Sequence, residues 1–292
     1  MKEKYPFSDL MKAFISVDLE GLPFVVTLGH LNVKGSLFKE AREIATKLTL
    51  AVTDELHKNG YDKIIIADSH GPAVNLLVED LPECIELVRG TPRPISMVAG
   101  VEGCDVAIFI GYHAKFGTEK STFDHTYSGS SIHKLEVNDV AVSEFLLNGY
   151  TAGEFGVPVI LVAGDAQLLE DDVEKHAPWA EKVVLKHSLT RFAARSPSLV
   201  QIEKELREGV NKAITNVKEN NVKPLVTKKP VKLTVTLRDT HQTDVVSLLP
   251  IIKRVDALTV EYISTDMVEA YKTFQAIVYL ASAASNMLQH MK

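Results

Sequence analysis

The stretch AFISVDLEG (Ala13–Gly21) decides the frame: an apolar run, Ala13–Asp18, closed by a carboxylate, then a turn that adds Glu20 and Gly21. Three later stretches repeat the form: KIIIADSHG (Lys63–Gly71), VAIFIGYHA (Val106–Ala114) and VPVILVAGD (Val157–Asp165). Runs rich in Val and Ile and bounded by Asp, Gly or Pro suit strands buried on both faces. They place strands at Ala13–Asp18, Lys63–Ala67, Val106–Gly111 and Val157–Val162. Between the first two, Ser36–Asn59 carries Ile44, Leu48 and Val52 at helical spacing and stops at Gly60. Asp139–Glu154 reads as a second helix, closed by Gly156 and Pro158. Short apolar runs alternating with amphipathic helices predict an α/β fold, a mainly parallel sheet flanked by helices.

The composition changes after Leu189. Leu199–Asn220 reads as an amphipathic helix, and VKPLVTKKPVK (Val222–Lys232), with two prolines, as a connector. Beyond it lie a strand (Leu233–Leu237), a short helix (Thr243–Leu249), a strand (Ala257–Ile263) and a helix (Asp266–Met287). The expected division is a catalytic α/β unit over residues 1–190 and a smaller C-terminal α+β unit over residues 191–292.

Over 292 residues, 46% are hydrophobic and 24% charged, the profile of a soluble globular protein. Thirty-two basic against 38 acidic residues give a net charge of −6, which argues against a nucleic-acid partner. No apolar run approaches the ~18 residues of a membrane span. The leading MKEKYPFSDL lacks the apolar stretch of a secretory signal. Two cysteines, Cys84 and Cys104, make no disulfide framework and fit a reducing compartment. The expectation is a cytoplasmic protein.

In an open parallel sheet, ligands bind beyond the carboxyl ends of the strands. The first strand ends in Asp18 and Glu20, the second in Asp68 and His70, the third in His113, the fourth in Asp165. Glu144 shares a helical stripe with Val140 and Leu147, so it should face the protein, where a charged carboxylate needs a partner. His125 sits in STFDHTYSGSS (Ser121–Ser131), a loop of small polar residues suited to reaching over a pocket. Two histidines and three carboxylates suit Zn²⁺, and a pair of ions better than one if a carboxylate such as Asp18 bridges. Such a centre would acidify a bound water and favour hydrolysis of a polarised carbonyl.

Taken singly, each residue has a plainer reading: Asp18 as a cap, Asp68 as a turn residue, Glu144 paired with a lysine, the histidines as ordinary loop residues. Their joint placement is what points to a metal. His133 reads as a strand or hairpin position, with Asn138 and Asp139 as the turn and helix cap. His241, with acidic neighbours, is the alternative ligand; His57 reads as a solvated position on the long helix, and His30, His176, His187 and His290 lack ligand types nearby. LKHSLTRFAARS (Leu185–Ser196), with Lys186, Arg191 and Arg195, reads as a solvated or interdomain basic face rather than a carboxylate-recognition site. No GxGxxG, GxxxxGK[ST] or GxSxG occurs, so neither a nucleotide loop nor a serine-hydrolase elbow is expected.

SVDLEG (Ser16–Gly21), DSHG (Asp68–Gly71), GYHA (Gly111–Ala114), the Asp124–His125 pair and VSEFLLNGYTAGEFGVPVILVAGD (Val142–Asp165) together resemble the zinc D-aminopeptidases, in order and approximate spacing. The resemblance implies an aminopeptidase with two Zn²⁺ per subunit, acting on short peptides with an N-terminal D-amino acid. It implies Asp18 as the bridge, Glu20 with His113 at one ion, His70 with Glu144 at the other, and His125 as the catalytic residue. It also implies a ring-shaped homo-oligomer, a decamer, with the C-terminal unit serving assembly and the gating of a channel. The chain departs from the family where EGLPFVVTLGH (Glu20–His30) replaces an EG-I-x-G-like turn, beside the expected metal site. The rivals are a dinuclear hydrolase for L-peptides or other amides and esters, and a non-catalytic, metal-dependent peptide-binding protein.

Overall fold

The structure is a computed structural model that describes residues 10–79 and 81–290, with side chains to residue 287. Most of MKEKYPFSDL and the His290 side chain lie outside the described residues. In chain order the strands are β1 (Met11–Val17), β2 (Tyr61–Asp68), β3 (Ile85–Val88), β4 (Val106–Tyr112), β5 (Ile132–Val137), β6 (Val140–Ala141), β7 (Val159–Asp165), β8 (Glu181–Thr190), β9 (Ala193–Arg195), β10 (Val231–Leu237), β11 (Lys253–Arg254) and β12 (Thr259–Ser264). The helices are α1 (Leu28–Leu31), α2 (Phe38–Lys58), α3 (Glu144–Glu154), α4 (Ala166–Leu168), α5 (Glu174–His176), α6 (Leu199–Lys218), α7 (Thr240–Val246) and α8 (Met267–His290).

The larger sheet runs β3-β2-β1-β4-β7-β8-β9, parallel except for β9. Strand order reverses between β1 and β4, which pair directly from Ala13↔Val106 to Val17↔Ile110. A reversal of this kind opens a crevice at the carboxyl ends of the two strands. β4 and β7 are buried along their whole length, which is why they read as unbroken apolar runs. The second sheet, β11-β12-β10-β5-β6, is antiparallel, and β10 alternates buried with half-buried residues as a one-sided strand should. Helix α8 packs against β10 and β12 and against α3 beside the crevice.

The sheets trade segments across residue 190. The hairpin β5–β6, from before it, belongs to the second sheet, while β9 and α6, from after it, lie on the first. Asn138 and Asp139, at φ 51° and 66°, form the hairpin turn. The helix expected over Asp139–Glu154 therefore starts only at Glu144, where Ser143 caps it by accepting from the Leu146 N–H. Among the described residues, no helix is long and apolar enough to cross a membrane.

Candidate metal centre and active site

The switch-point crevice gathers Asp18, Glu20, His70, His113, His125 and Glu144. Asp18 and Glu20 follow β1, His70 follows β2 and His113 follows β4. His125 hangs from the loop between β4 and β5, and Glu144 opens α3. The approach of the first and third motifs is set by backbone contact: Gly21 N–H donates to the Gly111 carbonyl at 2.7 Å and Asp18 N–H to the Ile110 carbonyl at 2.8 Å.

Nδ1 of His70 lies 2.9 Å from Glu20 Oε2 and 3.4 Å from Asp18 Oδ1. Nε2 of His113 lies 3.7 Å from Asp18 Oδ2 and 3.6 Å from Glu144 Oε1, and Nε2 of His125 is also 3.6 Å from Glu144 Oε1. The rings of His113 and His125 stack at 4.4 Å. Ligand atoms of Asp18, Glu20 and His113 fall within 4.8 Å of one another, as do those of His113, His125 and Glu144. His241 on α7 joins neither group.

The opposite nitrogens fix the tautomers. His70 Nε2 meets the Leu31 carbonyl at 2.9 Å, His113 Nδ1 the Ala114 carbonyl at 3.0 Å, and His125 Nδ1 the Phe123 carbonyl at 2.6 Å. A carbonyl only accepts, so each of these nitrogens carries a proton, and the other nitrogen faces the carboxylates. Histidines that ligate metals are held in this way by their second nitrogen. Among the described residues, Asp18 Oδ2 and His113 Nε2 are buried and find no hydrogen-bond partner, which is unusual for such groups and marks a place built for something else.

Charge is equally out of balance. Burial, with Glu20 beside it, pushes the Asp18 carboxyl up to about 8. Burial works against a charge on His113, yet Glu144, Glu20 and Asp18 outweigh it and push that ring up to about 10. Burial and the neighbouring His113 hold His125 below its ordinary value.

The other singled-out residues shape the loops. Asp68 accepts from the Asn75 and Leu76 N–H groups at 2.6 and 2.9 Å, and the Asn75 amide reaches the His70 carbonyl at 2.7 Å. Asp68 thus folds the turn that presents His70. Asp165 accepts from Ser188 Oγ at 2.5 Å and the Thr122 N–H at 3.2 Å, tying the His125 loop to β8. The expected basic face is corrected at Lys186, which is fully buried and donates to the carbonyls of Glu20 and, at 2.8 Å, Val25. Arg191 is half-exposed and pairs with Asp124, next to His125. Sequence reading missed Tyr127, whose N–H donates to Glu144 Oε1 at 2.7 Å, and the α8 residues Val278 and Tyr279 that wall the pocket. The cavity over the cluster is about 260 Å³, below the roughly 300–1,000 Å³ of drug-sized sites.

A mainly parallel sheet with such a cluster of histidines and carboxylates at its switch point suits an enzyme of the hydrolase class with a candidate metal centre. The D-aminopeptidase family model matches residues 11–276, and the chain belongs to that family. It is accordingly a hydrolytic aminopeptidase. A D-aminopeptidase of Bacillus subtilis (strain 168) is 29% identical over 277 residues, covering 94% of this chain and 99% of the relative. The solved structure of the Zn-dependent D-aminopeptidase DppA from Bacillus subtilis, described as a self-compartmentalizing protease, superimposes with a TM-score of 0.89 at 28% identity, covering 93% of this chain and 98% of that one.

Proposed function

We propose that the chain is a zinc-dependent aminopeptidase with two Zn²⁺ per subunit, releasing N-terminal D-amino acids from short peptides. The observation that carries this reading is the set of three histidines. Each is anchored to a backbone carbonyl by one nitrogen and presents the other to buried carboxylates. Asp18, whose Oδ1 lies 3.4 Å from His70 Nδ1 and whose Oδ2 lies 3.7 Å from His113 Nε2, would be shared between the ions. The short His70–Glu20 and His113–Glu144 distances favour Glu20 with His70 at one ion and Glu144 with His113 at the other, an alternative to the split implied by the family resemblance, in which Glu20 joins His113 and His70 joins Glu144. Three buried carboxylates leave the cluster short of positive charge, and divalent ions supply it while displacing protons from the ligands.

When bound, zinc polarises the scissile carbonyl and acidifies water. The chain's own groups do the rest. His125 stays neutral near pH 7, with Nε2 free, so it takes a proton from the attacking water and delivers one to the leaving amine. The cavity of about 260 Å³ favours short substrates. By analogy with the self-compartmentalizing relative, the subunits would form a homo-oligomeric ring, with a decamer as the proposed size. The C-terminal part, with exposed Leu248 and Ile251, would serve assembly and gate entry. A cytoplasmic setting accords with two free cysteines.

The test is zinc content per chain together with hydrolysis of D-Ala and L-Ala para-nitroanilides, before and after chelation. About two zinc ions with D-selective, chelator-sensitive cleavage is the expected result. Faster cleavage of the L-substrate would overturn the stereochemical assignment, and metal without turnover on short D-peptides would favour a binding protein.

A further inference from the structure

Beneath the cluster runs a buried chain of hydroxyls joined through one amide. Ser16 Oγ lies 2.9 Å from Ser69 Oγ and accepts from the Tyr112 hydroxyl at 2.7 Å. The Tyr112 oxygen accepts from Asn148 Nδ2 at 3.0 Å. Asn148 Oδ1 accepts from the hydroxyls of Tyr271, at 2.7 Å, and Tyr127, at 3.1 Å, and these two phenols touch each other. All six residues are buried or nearly so, and Tyr271 and Asn148 are fully enclosed.

The spacing of this chain follows the residues of the cluster. Ser16 stands two residues before Asp18, Ser69 immediately before His70, Tyr112 immediately before His113, Tyr127 two after His125, and Asn148 one helical turn after Glu144. Tyr271 alone has no ligand beside it in sequence. It reaches the network from α8, which packs on the second sheet. The same face of α8 carries Phe274, Val278 and Tyr279 at helical spacing. Phe274 packs edge-on against the Tyr127 ring at 5.2 Å, and Val278 and Tyr279 wall the pocket. Tyr271 also accepts from the Met97 N–H at 3.3 Å, tying in a further pocket residue.

We propose that Tyr271 is a positioning residue of the metal centre. Its hydroxyl, through Asn148 and Tyr127, holds the His125 loop and Glu144 in the register that the two ions require, and so couples the C-terminal helix to the site. The inference rests on the zinc reading above. The N–H of Tyr127 is the last link, because it donates directly to Glu144 Oε1. A shift of the Tyr127 backbone therefore moves both a ligand and the base. Losing a partner of this outer kind typically lowers metal affinity or activity by about 10–100-fold.

The experiment compares Tyr271→Phe with Tyr262→Phe in the full chain. Both remove one phenol hydroxyl from the C-terminal part, but Tyr262 donates to Glu269 at 2.6 Å and does not line the pocket. The readouts are the rate of zinc release to a chromogenic chelator, kcat and KM on a D-aminoacyl para-nitroanilide, and Tm. Tyr271→Phe is expected to release zinc about tenfold faster and to lose a similar factor in kcat, with KM little changed. Tyr262→Phe is expected to shift Tm alone. If Tyr271→Phe lowers Tm but keeps wild-type zinc release and kcat, the hydroxyl is only a core hydrogen bond and the proposal fails. Should that variant not fold, Tyr127→Phe removes the partner hydroxyl and is read in the same way. Wild-type protein that takes up no zinc would overturn both this inference and the reading beneath it.

Discussion

Gly21 and Gly111 cross so closely that neither has room for a side chain. A Cβ on Gly21 would lie 1.9 Å from the Tyr112 carbonyl oxygen, and one on Gly111, at φ +77°, 2.0 Å from the Asp18 oxygen. The crossing is what sets Asp18 and Glu20 against His113. Gly21→Ala must push the two strand ends apart, because the obstacle is backbone rather than a side-chain tip. A displacement near 1 Å at a catalytic constellation costs about 10²-fold. We expect Gly21→Ala to bind fewer than two zinc ions and to lose at least that factor in kcat/KM, measured on protein that remains folded by circular dichroism. Full zinc content with wild-type turnover would show that the crossing tolerates slack.

His125 reaches the cluster through Nε2 while Nδ1 is held by the Phe123 carbonyl. Five other residues carry the proposed metal bonds, so His125→Ala is expected to keep its zinc and lose roughly 10²–10⁴ in kcat, the range for removing a general base. Loss of one zinc ion along with activity would instead make His125 a ligand, a role its proximity to His113 and Glu144 makes worth testing.

How far the sequence led depends on which forces act locally. Asp18, Glu20, His70 and His113 were legible because each follows a strand buried on both faces, and chain reversal at the sheet places those strand ends together. Glu144 was found for a reason the structure removes. Val140, its supposed stripe partner, is in β6, and Glu144 faces the cluster because Ser143 starts the helix there. Strand β8 went unread because Lys182, Lys186 and His187 break its apolar pattern, although Lys186 is wholly buried. Tyr127 and Tyr271 carry no local signal at all. They meet 144 positions apart, through packing of α8 that no short pattern encodes.

Lys186 supplies a case where stability and function should separate. Its amine is enclosed, with burial pushing it down to about 8, and its hydrogen bonds go to two carbonyls rather than to a carboxylate. Lys186→Met leaves those carbonyls without their donor, at a cost of about 1–3 kcal/mol. It also removes the penalty of burying an ammonium, which is several kcal/mol in order of magnitude. We therefore expect Tm to hold or rise while kcat falls about tenfold or more, because the Glu20–Val25 segment loses its strap. Melting and turnover measured on one preparation decide the matter, and a lower Tm with unchanged kcat would reduce Lys186 to a strut of the fold.

Glu269 lies in the first turn of α8. Its carboxylate accepts from the Tyr262 hydroxyl at 2.6 Å, Ser264 Oγ at 2.9 Å, and the Thr265 N–H and hydroxyl at 3.1 and 3.0 Å. The Tyr262 hydrogen bond foremost, then those from Thr265 and Ser264, hold it down at about 2, against an ordinary value of 4.5. A carboxyl depressed on folding stabilises the fold above its unfolded value, and that contribution drains away as pH falls toward the folded one. The Tm gap between wild type and Glu269→Gln should therefore be full near neutral pH, begin to close below about pH 5, and be nearly gone around pH 2. Thermal melts of the two proteins across that range give the answer. A gap that stays constant would mean that the hydrogen bonds stabilise the helix start without regard to the charge.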